Sequence, residues 1–138
     1  MTERNNWNEK IIAEFRANGG KVGGNFAGRD LLLLNTIGAK SGEQRTNPVA
    51  FVRDGERLIV IASKGGAPTN PDWYYNLKAN PQVVVEVGTE KFQAQATVAE
   101  EPERTQLYDK MVTVMPGFAD YKVKTTRQIP VVVLTPKN

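Results

Sequence analysis

The chain contains no cysteine and no histidine. Without thiols it can form no disulfide, no cysteine nucleophile, no iron–sulfur cluster and no cysteine-bound zinc. Without imidazole, a Ser–His–Asp triad, a histidine–metal site and imidazole acid–base catalysis are all excluded. Proton transfer would fall to tyrosine, lysine, a carboxylate or water, and redox chemistry to a bound cofactor. No metal site is expected. Long apolar runs are missing as well: the longest aliphatic stretches, 31–34 and 131–134, fall far short of the ~20 residues of a spanning helix. The first ten residues are polar and no apolar segment of a signal peptide follows, so the expected location is cytoplasmic.

What is present is ordinary for a folded protein. With 138 residues, 40% hydrophobic and 24% charged, the chain suits one domain with a core large enough to fold unaided. The expectation is a single domain over 1–138. A net charge of +3 favours anionic small ligands. The basic residues are scattered rather than set on one helical stripe, which argues against nucleic acid.

Trp7, Ile11 and Phe15 recur at helical spacing, so 8–18 reads as a short amphipathic helix ended by Gly19 and Gly20. Gly20, Gly23, Gly24 and Gly28 mark a flexible entry loop, making 1–28 an N-terminal helix and loop. The modest apolar face of that helix suits a packed arm better than a membrane-surface or lid helix, though it is the one element that would bring the protein to a membrane. Strand patterns follow over 31–36, 48–53 and 57–62, the last two flanking a hairpin signal at Asp54-Gly55-Glu56. Asn70-Pro71 reads as a helix cap with proline at the first helical position, opening a helix over Asp72–Ala79. Strands over Gln82–Val87 and 91–98 form a second hairpin. Pro102 opens a third helix, with Leu107, Met111, Val114 and Met115 on one face and Pro116-Gly117 as its end. A last strand runs over 129–135. About six strands and three helices without βαβ alternation make the fold mostly β with helices (α+β), an antiparallel barrel with helices on its rim.

Two loops at strand ends share one recipe. Gly38-Ala39-Lys40-Ser41-Gly42 combines backbone freedom, a cation and a hydroxyl, with Arg45 close behind; successive N–H groups in such a loop form an anion-binding nest. It lacks the Walker A spacing. Ala62-Ser63-Lys64-Gly65-Gly66 repeats the pattern. Pro48, having no N–H, is expected at a strand start or edge. Trp73 and Leu77 share a helical face. Trp73, Tyr74 and Asn76 read either as core packing or as neighbours of a flat ring.

In order, the segments IGAKSGEQRTNPV (37–49), IVIASKGGAPTNPDWYYNLKANPQV (59–83) and RQIPVVVL (127–134) resemble the deazaflavin-dependent nitroreductase and quinone reductase family, small oxidoreductases that use reduced coenzyme F420. The likeness runs over nearly all of 31–136. It implies a split β-barrel of the flavin-reductase-like, FMN-binding type. It also implies that Ala39, Lys40, Ser41, Gly42 and Arg45 hold the coenzyme's phosphate and acidic tail. Thr46, Asn47, Pro48, Val49 and Ala50, then Ile61, Ala62, Ser63 and Lys64, then Asp72, Trp73, Tyr74, Tyr75 and Asn76 would surround the deazaflavin and its linker. The implied reaction is hydride transfer to a small electron-poor acceptor: an activated alkene or enone, a quinone or a nitro compound.

Some family members carry tyrosines at three successive steps of three lining the acceptor pocket; here those positions read Met115, Phe118 and Tyr121. A further pocket position on the second strand is Ala50 rather than an aromatic residue. The pocket is thus more apolar, with Tyr121 as candidate proton donor and Ser63 as candidate hydrogen-bond donor to the accepting oxygen. Two alternatives stand beside this reading: an FMN-dependent oxidoreductase on the same barrel, and a non-catalytic flavin or deazaflavin carrier. A monomer or a homodimer fits either.

Overall fold

The computed structural model describes residues 3–22, 30–66, 69–125 and 128–137. Six strands close into an antiparallel barrel. They are β1 (Leu31–Ile37), β2 (Gln44–Asp54), β3 (Arg57–Ile61), β4 (Gln82–Val87), β5 (Glu90–Val98) and β6 (Val131–Pro136). Around the barrel they run β1-β2-β3-β6-β5-β4, and β4 pairs back onto β1. Among the described residues four helices accompany them: α1 (Glu3–Ala17), α2 (Asp72–Ala79), α3 (Glu103–Val114) and α4 (Gly117–Lys124), with a 3-10 turn at Lys64–Gly66.

Alternation along each strand splits the apolar residues between the barrel's two faces. Leu32, Leu34, Phe51, Leu58, Val60, Val83, Val85, Val132 and Leu134 fill the interior together with Trp73, Tyr74 and Leu77 of α2, which caps one end. On the outside, Val52, Ile59, Ile61, Val131 and Val133 lie beneath Leu107, Tyr108 and Met111 of α3. Leu31 and Leu33 lie beneath Phe15 of α1, with Ala50 against them. Covered on both sides over their first four positions, β1 and β6 are apolar there, which is why 31–34 and 131–134 read as Leu and Val runs.

The N-terminal helix is a packed arm. Ile11 and Phe15 are buried, and the helix closes with the Gly20 N–H donating to the Phe15 carbonyl at 2.8 Å. Gly20 has φ +94°, and a Cβ there would stand 2.5 Å from the Gly88 Cα in the β4–β5 turn, so only glycine fits. The side chain of Trp7 and the entry-loop glycines Gly23, Gly24 and Gly28 lie outside the described residues.

Four local expectations are corrected. The helices number four among the described residues rather than three: Pro116-Gly117 ends α3 as expected, but Pro116 then caps α4, a helix with no fully buried residue. On α3 the buried face is Leu107, Tyr108 and Met111, while Val114 is 55% exposed. Asn70 does not cap α2; Pro71 stands at the cap with no side-chain bond, and the Asn70 amide donates instead to the Tyr75 hydroxyl at 3.4 Å. Finally, β2 begins at Gln44, so Pro48 sits within the strand opposite Leu33. The barrel tolerates it because β3 pairs with β2 only from Phe51 onward. The Phe51 N–H points to β1, donating to the Asp30 carbonyl. By strand alternation Pro48 therefore turns its missing N–H away from β1, towards the side β3 does not reach.

Candidate active site

One rim of the barrel gathers the chain's functional candidates. β1 ends there at Ile37, β2 begins at Gln44, β3 ends at Ile61, and α2 sits across the opening. The 38–42 loop and the Ser63–Gly66 turn thus lie at the same end. Over 44–50, β2 has a strand partner on the β1 side only. The backbone N–H and C=O of Thr46 and the C=O of Pro48 face this split in the wall. Unpaired main-chain groups at such an edge suit the polar edge of a heterocycle.

The 38–42 loop is closed on itself rather than an open nest. Gly38 N–H donates to the Glu43 carbonyl at 2.7 Å and Gly42 N–H to the Gly38 carbonyl at 3.0 Å. Glu43 N–H donates to Ser41 Oγ at 3.2 Å, and Ala39 N–H to Asn76 Oδ1 at 3.0 Å. Asn76 in turn donates from Nδ2 to Thr36 Oγ1 at 3.3 Å. Buried Asn76 therefore pins the loop to α2 and β1. The loop leaves Lys40 exposed, and Arg45 exposed too, in a loose 3.5 Å contact with Glu43. Cationic side chains, more than backbone N–H groups, are what it presents to an anion.

The second loop is tighter. Ser63 is buried, and its carbonyl accepts from the Gly66 N–H at 3.0 Å. Lys64 adopts φ +49°, a left-handed conformation uncommon for a side chain of its size, and its Nζ donates to Thr69 Oγ1 at 3.2 Å. A Cβ on Gly66 would stand 2.9 Å from Lys124 Cβ and 3.4 Å from Tyr121 Cα. The turn and α4 therefore touch, which brings Ser63 and Tyr121 to one rim although they are 58 positions apart in sequence.

The remaining candidates divide by face. Ile61 and Ala62 are buried, Ile61 on the outer wall below α3 and Ala62 in the interior. Trp73 and Tyr74 belong to the interior core, and Tyr75, at 49%, is exposed beside Asp72. Val49 points into the barrel while Ala50 points out towards α1. Asn47 shares the parity of Val49, and Thr46 and Pro48 that of Ala50. Met115, Phe118 and Tyr121 pack partly against the α3 cluster, the Phe118 and Tyr121 rings edge to face at 5.1 Å. One step past the Phe51–Val60 pair, Ala50 and Ile61 fall on neighbouring strands of the outer wall. Ala50 thus lies next to Ile61, a member of the wall against which Met115, Phe118 and Tyr121 pack.

Sequence reasoning missed a polar network beneath Thr46. Thr46 Oγ1 donates to Asn35 Oδ1 at 2.5 Å, and Gln44 Nε2 donates to the same oxygen at 3.3 Å. Asn35 Nδ2 donates to Glu86 Oε2 at 3.0 Å and to the Val84 carbonyl at 3.2 Å. Glu86 accepts both Arg16 Nε at 3.0 Å and Arg16 Nη2 at 2.8 Å. The Arg16 fork holds the Glu86 carboxyl below its ordinary value, with the Asn35 amide adding to the effect against burial. A polar Asn35 and Glu86 interrupting apolar runs were the available signals. A shallow depression of about 400 Å³ on the β5–β6 face, lined by Arg57, Glu100, Glu103 and Thr135 among others, involves none of these residues.

A phosphorylated, acidic-tailed flat ring fits this rim: exposed Lys40 and Arg45 suit the anionic groups, and the open edge of β2 suits the ring. The model of the F420H(2)-dependent quinone reductase family matches residues 7–136. The chain belongs to that family. Its cofactor is coenzyme F420, and it is an oxidoreductase. An F420H(2)-dependent quinone reductase of Mycobacterium tuberculosis is 39% identical over 127 residues, 89% of this chain and 85% of that protein. The solved structure of an F420-H2 dependent reductase is 39% identical with a TM-score of 0.71, covering 77% of this chain and 94% of its own. A structure described as a domain-swapped dimer is 34% identical with a TM-score of 0.73, covering 96% and 99%. Among the described residues no helix is long and apolar enough to cross a membrane.

Proposed function

We propose that this chain reduces a quinone-class acceptor, with activated alkenes and nitro compounds as secondary substrates, and that residues 1–138 act as one domain with 1–28 as its N-terminal arm. The observation that carries the reading is the half of β2 with no β3 partner, set between the cationic 38–45 rim and the apolar wall of Met115, Phe118 and Tyr121. When bound, reduced coenzyme F420 supplies the hydride. Lys40 and Arg45 bind the phosphate and acidic tail by charge-assisted bonds. The main-chain groups of Thr46 and Pro48 orient the ring. Ala50, Met115 and Phe118 give the acceptor an apolar seat and exclude water, so that orientation supplies most of the acceleration. Hydride addition to a quinone leaves a phenolate-type oxygen that takes up one proton. Tyr121 or solvent delivers it, and Ser63 at the adjacent turn donates a hydrogen bond to the accepting oxygen.

The test is a parallel binding titration with oxidised F420 and FMN, followed by reduced F420 with a panel of quinones, enones and nitroarenes. Tight F420 binding with fastest turnover on quinones is expected. Retention of FMN by the purified protein, or no oxidation of reduced F420 by any acceptor, overturns the reading, the second outcome in favour of a carrier.

A further inference from the structure

α4 carries Phe118 and Tyr121, yet buries no residue of its own completely. A helix of eight residues is too short to be stable without tertiary support, so its position depends on what grips it. Besides the partial packing of Phe118 and Tyr121 against the α3 cluster, three contacts do so. The Tyr108 hydroxyl on α3 donates to the Phe118 carbonyl at 2.6 Å. Lys122 on α4 bonds Asp109 at 3.2 Å and places its Nζ 4.3 Å from the Tyr108 ring centre. On the other side Lys124 and Tyr121 lie against Gly66.

The Tyr108 contact differs from the others in kind. Its ring is fully buried at 0% exposure among Ile59, Ile61, Met111 and Val131. A leucine or phenylalanine would fill that space with no polar atom to satisfy. The hydroxyl reaches the carbonyl of Phe118 in the first turn of α4, and a partly buried bond of this kind fixes distance and direction where apolar packing alone would let the helix slide. The Lys122 contact is half-exposed and correspondingly weaker.

The geometry points to Tyr108 as a positioning residue for acceptor recognition: without touching cofactor or acceptor, it sets the pose of α4 and hence of Phe118 and Tyr121. This rests on the reading that α4 walls the acceptor site. Tyr108 belongs to the outer-wall cluster beneath α3, whereas the 38–42 loop is held by Asn76 of α2 and by β1, so it acts on the acceptor and not on the coenzyme.

The experiment compares full-length wild type with Tyr108→Phe, which keeps the ring and its packing and removes the hydroxyl. Amide hydrogen exchange over 117–124 should quicken about five- to tenfold, the loss of one partly buried bond, with exchange in the strands unchanged. With reduced F420 and the best quinone, the acceptor KM should rise by a similar factor while kcat and the F420 Kd stay within about twofold. Unchanged exchange in α4 overturns the proposal. So does faster exchange with an unchanged acceptor KM, or an equal rise in the F420 Kd, which would mean general loosening. Should wild type oxidise reduced F420 with no acceptor, the functional reading fails, and exchange alone decides whether Tyr108 holds α4. If Tyr108→Phe does not fold, Lys122→Met removes the second grip from the surface. A smaller shift of the same pattern supports the proposal, and no shift overturns it.

Discussion

Replacing Glu86 with glutamine separates the charge of the buried network from its shape. The carboxylate accepts two bonds from Arg16 and one from Asn35. Glutamine keeps an oxygen for Asn35 but sets an amide against the guanidinium. Bonds to charged groups contribute about 1.5–3 kcal/mol and neutral ones about 1 kcal/mol. The Arg16 side chain is 49% exposed, so water takes over part of its solvation, which puts the expected loss near the lower end, about 2 kcal/mol. In a 138-residue domain each kcal/mol moves the melting temperature by about 3–4 °C, so Glu86→Gln should melt roughly 6–8 °C lower at neutral pH. The sign with pH follows from the lowered carboxyl pKa. A carboxyl titrating lower in the folded than in the unfolded chain stabilises fully above its unfolded value, near 4.5. That contribution disappears as pH falls through the lower folded value. The gap between wild type and Glu86→Gln should therefore be widest at neutral pH and close as the solution is acidified. Thermal unfolding followed by circular dichroism across that range reads both quantities. A neutral-pH gap below about 0.5 kcal/mol, the scatter of an ordinary surface substitution, would refute the network's role. A gap that stays constant into acid would refute the charge argument.

Three further outcomes follow from the rim. Lys40→Ala and Arg45→Ala should each raise the F420 Kd about tenfold, the effect shrinking with added salt, as isothermal titration would record; a salt-independent change would place the tail elsewhere. Tyr121→Phe should lower kcat, and unchanged turnover at every pH would end the proton-donor assignment. Gly66→Ala should cost about 1–3 kcal/mol in a denaturant melt, since φ +82° and a 2.9 Å approach to Lys124 both oppose a Cβ; a neutral result would mean that α4 does not press on this turn.

Local periodicity and punctuation already contained the barrel. The strands over Gln82–Val87 and the helix over Asp72–Ala79 emerged with the observed bounds. Alternation, Gly55 with φ +63° and Gly88 with φ +58° act within a few residues, so a linear reading can find them. The same is true of the ordered motifs that carry the family. What the sequence could not yield depended on contacts between distant positions. Pro48 was expected at a strand start or edge; the edge holds, and only the missing β3 partner, a matter of register, decided between the two and let the strand begin earlier, at Gln44. α4 was hidden because its stability is supplied by Tyr108 and Gly66 rather than by its own residues. Asn76, Trp73 and Tyr74 looked equally suited to core or ligand; tertiary packing put the two rings inside the barrel and turned Asn76 onto the backbone of the 38–42 loop. Residue types and spacing thus determined what this protein is made to bind. Barrel closure decided which of these segments meet, bringing 38–45, Ser63–Gly66 and α4 to one rim, because proximity across such spans is a property of the folded chain alone.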